Sequence, residues 1–237
     1  ASVGGSCAWC AGIGARPLSG IILAGGELAQ DGYRQGSRWV NIAVSVVGSL
    51  GVFRVAIILG VPLGLLMGLS PPIAAIFNPF VQFLRPLPRI ALIPLAVVWL
   101  GIGEASKFFL IFIATFLSVV VGARAAVERV ERSRIRVAQT LGASRRQIFF
   151  HVVLPDTLPE LFTTVRLAIG IGWTSLIAAE MVAATSGIGW MVMNASAYLR
   201  TDIVMLGILL LGGIGYVLDL LLVGAQRIFV PWAGKSS

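Results

Sequence analysis

Long apolar runs separated by short polar stretches dominate the chain. A membrane helix needs about 20 mostly apolar residues. Runs of that kind, or parts of them, predict five spans, over residues 39–68, 90–100, 106–123, 161–184 and 203–226. Pro71, Pro72, Pro79, Pro86, Pro88 and Pro94 break the stretch 70–103. Each removes a backbone donor and disfavours helix at the preceding residue. The pattern there predicts a short helix over 73–84, a basic turn over 85–89, and a span over 90–100 kinked at Pro94. In the later spans Gly170, Gly172, Gly207, Gly212, Gly213 and Gly215 predict faces on which membrane helices approach closely.

The stretch between the third and fourth spans has another character. In "RSRIRVAQTLGASRRQIFFHVVLP" apolar residues recur at Ile135, Ala138 and Leu141, then at Ile148, Phe149 and Val152, with charges opposite them. This is helical spacing. Gly142 interrupts it and permits a bend or a close approach. The reading is two short amphipathic helices along the cytoplasmic surface, with Gly142, Ala143 and Ser144 as the step and Pro155 as the close. Such a surface suits either anionic lipid or a groove on another protein. Periodicity does not choose.

Composition narrows the class. Apolar residues make up 57% of the 237 and charged residues 12%, against about 25% charged in soluble domains. The chain reads as an all-α polytopic membrane protein. Its net charge of +8 is not spread evenly: seven of the 18 basic residues (Arg124, Arg129, Arg132, Arg134, Arg136, Arg145 and Arg146) fall in one segment between spans. That marks a cytoplasmic loop under the positive-inside rule and excludes nucleic acid as the partner. By the same rule the Arg85/Arg89 turn and the tail with Arg227 and Lys235 share that side, and the "GIGEAS" and "TSGIGWMVMNASAYLRTD" ends face outward. The first span then begins outside, so a crossing is expected before it, within residues 1–26, which suit one poorly. The organisation expected is an N-terminal segment of undefined structure (1–36), one transmembrane domain (37–232) and a tail (233–237).

Candidate chemistry is sparse. Cys7 and Cys10 form a lone C-x-x-C with no second pair, and His151 is the one histidine. A zinc site needs about four ligands, so no metal site and no catalytic group is expected. The terminal "WAGKSS" falls short of a phosphate-binding loop because Phe229 stands where the first glycine is needed. Arg54, inside the first span, either serves function or faces a vestibule or snorkels. Arg166 either attracts an anion or sits at the cytoplasmic membrane edge. Asp219 is expected to pair within the bundle.

The arginine-rich segment resembles the cytoplasmic "EAA" loop of ABC importer permeases, E-A-A-x-x-x-G-x9-I-x-L-P. The family alanines fall on Val137 and Ala138, its glycine on Gly142, its isoleucine on Val152 and its Leu-Pro on Leu154 and Pro155. The family glutamate position is Arg136, which removes any salt bridge a glutamate would make to an ATPase subunit. The resemblance runs over residues 44–232. "GVPLGLLMGLSP", "RPLPRIALIPLAVVWLGIGEASK", "LPELFTTVRLAIGIGWTSLIAAEMVAATSGIGWM" and "QRIFVPW" are similar to the taurine, alkanesulfonate, nitrate and bicarbonate permease group, taurine-type members first.

The resemblance implies a type I, methionine-importer-like ABC permease fold with about five or six transmembrane helices and a cytoplasmic coupling helix, in a bacterial inner membrane. It implies a second copy of the chain, two ATPase subunits that carry ATP and Mg, an external solute-binding protein and surrounding lipid as partners. This chain is expected to bind no cofactor. Its coupling loop spans 133–155, with Arg136, Val137, Ala138, Gln139, Leu141, Gly142, Ala143, Ser144, Val152, Leu154 and Pro155 as the ATPase-facing set. Trp173 and Ser175, with Thr174 between them, are candidates for the translocation path. Glu180 either shapes the outer gate or bonds neighbouring helices or Arg200. The expected solute is a small anion, taurine or another sulfonate first, with nitrate, bicarbonate or another small organic solute as alternatives. A membrane-embedded enzyme or a stand-alone channel is the remote alternative, and neither has a visible constellation of reactive groups.

Overall fold

The first apolar run folds as one helix, α1 (Arg38–Leu69), and packs along α4 (Glu104–Glu128). Glycines four residues apart allow this. A Cβ on Gly64 would stand 2.6 Å from the Cβ of Ala123, and one on Gly68 would stand 2.6 Å from that of Val127. With no hydrophobic drive between helices in lipid, close backbone approach supplies the contact. The computed structural model describes residues 38–184 and 187–230. The expected N-terminal segment, with Cys7 and Cys10, and the tail lie outside the described residues.

Every regular element among the described residues is helical. Four helices are long and apolar enough to cross a membrane: Val47–Leu69, Glu104–Glu128, Arg145–Ala183 and Thr201–Ile228. α4 is the axis of the bundle, with Ile111, Ala114, Val119, Val120 and Ala123 fully buried between α1 and α7 (Leu154–Ala183). Of the glycines expected at helix contacts, Gly172, Gly207 and Gly215 meet neighbouring side chains, whereas Gly170, Gly212 and Gly213 face open space.

The second expected span, over 90–100, differs from its reading. Residues 90–100 form only a 3-10 turn, Arg89–Ala91, and α3 (Leu92–Leu100). Nine residues rise about 14 Å, half of a bilayer's hydrocarbon thickness. Pro94 does not kink it, because it falls in the first turn, where a missing N–H costs no hydrogen bond. The other half is α2 (Pro71–Leu84), which adds about 21 Å. Its Asn78 accepts a 2.6 Å hydrogen bond from Arg124, near the cytoplasmic end of α4. The turn after it shares a cavity with Leu110 and Ala114 of α4 and with Ser175 of α7. α2 and α3 together therefore make one broken crossing. The Arg85 turn, expected at the cytoplasmic surface, lies at the break in mid-membrane.

A second difference concerns the arginine-rich segment. α5 (Arg132–Thr140) is the first expected amphipathic helix. The second is not separate: α6 (Arg145–Ile148) passes through a π turn, Phe149–Val153, straight into α7. Pro155 does not end the segment. The widened turn before it, where Leu154 N–H reaches back to the Phe149 carbonyl, accommodates the residue that cannot donate. α8 (Ile188–Ala197) then packs at the outer end, and α9 (Thr201–Phe229) lies along the bundle's flank.

Candidate coupling loop and translocation path

The loop between α5 and α6 is built by two helix caps in succession, the first of backbone groups and the second of side chains. Gly142 adopts φ +76°, a left-handed conformation that costs a residue with a Cβ about 1–2 kcal/mol. Its N–H donates to the Gln139 carbonyl at 3.0 Å, and Ala143 N–H donates to Ala138 at 3.1 Å. This is the Schellman arrangement that satisfies the last carbonyls of a helix. Ser144 then caps α6. Its hydroxyl accepts from Gln147 N–H, and its own N–H donates to Gln147 Oε1 at 2.8 Å. The sequence "LGASRRQ" thus ends one helix and starts the next within four residues.

The loop's apolar residues divide by face. Ala138, Ala143, Val152 and Leu154 pack on a core of Leu65, Ala123, Val127, Ile148 and Val153. Val137 and Leu141 face outward, at 59% and 82% exposure. Gly142 has open space at its missing side chain. Arg136 and Gln139 are exposed beside them. The result is a small apolar knob in a basic surround, seated on the transmembrane core by its opposite side.

Ion pairs fasten this knob to α7. Arg129, at the end of α4, donates to Glu160 at 2.5 Å, and Arg134 of α5 donates to Asp156 at 2.7 Å. In the sequence these arginines signal topology, and their carboxylate partners were not expected. The legible signal was Asp156 and Glu160, four residues apart after Leu154-Pro155 and so on one helical face.

The candidate path residues fall in different surroundings. Trp173 is buried among Phe53, Ile111 and Leu211, and its indole N–H donates to the Leu211 carbonyl at 3.3 Å. Ser175 and Thr174 line a cavity of about 340 Å³ beside Arg85. Glu180 is 2% exposed. It accepts from Gly189 N–H at 3.0 Å and lies 3.7 Å from the ammonium of Lys107, which is 2.6 Å from Glu104. Gly187, at φ +119°, leaves room for the Glu180 carboxylate. Close by, Gly103 N–H donates to the Ala183 carbonyl at 3.1 Å. These contacts clamp the outer ends of α4, α7 and α8. Arg200 bonds Asp202 instead of Glu180. Lys107 and Glu104 were missed in the sequence, although a Glu and a Lys three apart at the head of an apolar run mark a pair.

Two further charges resolve by geometry. Arg166 of α7 and Asp219 of α9 form a two-pronged ion pair, with Nη2 to Oδ2 at 2.6 Å. Arg54 sits on the exposed stripe of α1 with Val55 and Ile58, without an ion pair among the described residues.

The profile of the family described as "Binding-protein-dependent transport system inner membrane component" matches residues 60–235. Over 204 residues the chain is 43% identical to the taurine transport system permease protein TauC of Escherichia coli (strain K12), covering 86% of this chain and 74% of that one. It is 31% identical over 201 residues to the bicarbonate transport system permease protein CmpB of Synechococcus elongatus, covering 84% and 72%. A solved structure of the MetNI methionine ABC transporter, in an inward-facing conformation, superposes with a TM-score of 0.58 at 18% identity, covering 92% of this chain and 98% of that one.

Proposed function

Because the chain belongs to the binding-protein-dependent transport system inner membrane component family, we propose that it is the membrane half of an ATP-driven importer of small sulfonates, taurine first. The chain is an ABC importer permease of the taurine, sulfonate and bicarbonate group, a multi-pass protein of the inner membrane. It has the type I, methionine-importer-like fold.

The observation that carries the mechanism is the exposed knob at Val137 and Leu141, tied by Arg134 to Asp156 of α7. In the proposed complex two copies of the chain pair side by side, and each knob seats in a groove on an ATPase subunit. ATP and Mg act there, on the partner. Arg136, exposed beside the knob, meets the ATPase surface where the family glutamate otherwise stands. Closure of the ATPases displaces α5, and the Arg134–Asp156 and Arg129–Glu160 pairs hand the displacement to the base of α7. α6, the π turn and α7 are continuous from Arg145 to Ala183, so the base of this span and the path wall at Ser175 move as one rod. An external solute-binding protein delivers the solute to the outer face. Sulfonate preference rests on the identity with TauC.

Reconstitution into proteoliposomes with the ATPase and binding protein tests this. ATP-driven uptake of taurine above nitrate or bicarbonate, lost without binding protein, is the expected result. Preference for bicarbonate would retain the class and replace the solute. A chain that copurifies with no ATPase would overturn the coupling role.

A further inference from the structure

We propose that the cavity at the break between α2 and α3 is a solute site within the membrane, where Arg85 holds the sulfonate of the passing solute. This rests on the importer reading above and adds to it a site and a residue.

Inside a bilayer an ionised side chain is costly unless paired or hydrated, and it marks a pathway by default. Among the described side chains, other cations within bundle contacts are matched: Lys107 by Glu104 and Glu180, Arg124 by Glu128, Arg129 by Glu160 and Arg166 by Asp219. Arg85 makes no ion pair among the described residues. Arg54 makes none either, but it lies on the apolar outer stripe of α1 and is not among the residues that line this cavity. Arg85 lines a cavity of about 340 Å³, large enough for a solute of a few heavy atoms.

Depth is fixed by the neighbours. The same cavity is walled by Leu110 and Ala114, six and ten residues from the outer start of α4, and by Thr174, Ser175 and Ala178, five to nine residues from the outer end of α7. At about 1.5 Å per residue this lies about 8–15 Å below the outer ends. A discontinuous crossing with its break near the midplane is where membrane transporters place solutes. Polarity is one-sided. The Thr174 and Ser175 hydroxyls donate to the Ile171 carbonyl at 2.8 and 3.0 Å, and the remaining wall is mostly aliphatic. Among the described lining residues Arg85 is thus the charged donor. Its planar fork of N–H groups matches the oxygens of a sulfonate.

The test uses the complete reconstituted complex. Arg85→Gln is expected to cut sulfonate uptake about tenfold, the loss of one charge-assisted contact. Arg85→Lys should keep a substantial part, and ATPase activity stimulated by loaded binding protein should persist in both. Wild-type uptake by Arg85→Gln would overturn the site, as would an Arg85 engaged with lipid phosphate, which leaves uptake unchanged. A second measurement does not depend on transport. In a Cys7→Ser, Cys10→Ser background, Ser175→Cys is reacted with anionic and cationic methanethiosulfonates. Removing Arg85 should lower the anionic-to-cationic rate ratio several-fold, and an unchanged ratio would overturn the proposal. Absence of uptake by the wild-type complex would sink the importer reading alone, since the reagent ratio still reports on Arg85.

Discussion

At Gly142 the backbone conformation and the surrounding space separate two effects. The site has φ +76° but nothing within 4 Å of an added Cβ, so Gly142→Ala costs conformational energy and no clash. A local loss of about 1 kcal/mol is expected, read as faster amide hydrogen exchange across residues 139–148. Asn, which tolerates this region better, should restore most of the protection. The clamp at Lys107 is different in kind, because both partners are buried. Lys107→Met leaves Glu180 charged and unpaired, and a loss of about 3–5 kcal/mol is expected in detergent unfolding. The double variant Lys107→Met, Glu180→Leu should recover much of it. A double variant as unstable as the single would show that packing, not the charge, is what the clamp supplies. The contact of Lys107 with Glu180 was not legible locally. Lys107 and Glu180 are 73 positions apart, and only the packing of α4 on α7 brings them together.

Among elements, α5 and α7 are coupled through exposed pairs whose stabilising effect is small. Such pairs are worth about 0–1 kcal/mol, so Arg134→Glu should leave folding nearly intact. Its expected effect is on transport: ATP hydrolysis persists while uptake falls, and Arg134→Glu with Asp156→Arg restores uptake. Equal uptake in single and double variants would remove the strut from the mechanism. α1 and α4 depend on steric fit. Gly64→Leu places side-chain atoms where Ala123 and the Val120 carbonyl already stand, both 2.6 Å from the first added carbon. A backbone carbonyl cannot step aside, so the yield of folded, monodisperse protein should collapse, as size-exclusion chromatography would register. Of the six glycines expected at contacts, Gly172, Gly207 and Gly215 meet neighbours, and Gly64 and Gly68 were not among the six. Spacing alone does not tell a glycine that meets a neighbour from one that faces lipid.

At the scale of the whole molecule, Arg166 and Asp219 join α7 to α9 by an ion pair within the spans. Exchanging the two residues should preserve assembly, whereas Asp219→Asn alone should loosen α9, measured by proteolysis of the C-terminal helix. The long spans, the step at Gly142 to Ser144 and the helical class followed from the sequence by itself, because apolar run length and the conformational freedom of glycine are local properties. The match to the EAA loop was legible for the same reason, since its signal lies in the spacing of one continuous segment. Tertiary structure alone decided that the proline-rich stretch is a broken crossing with Arg85 in mid-membrane. It also decided that the second amphipathic helix is the base of α7, and that Glu180 sits in a clamp. Those outcomes depend on which helix packs beside which, and contact between residues tens of positions apart leaves no periodicity in the chain to read.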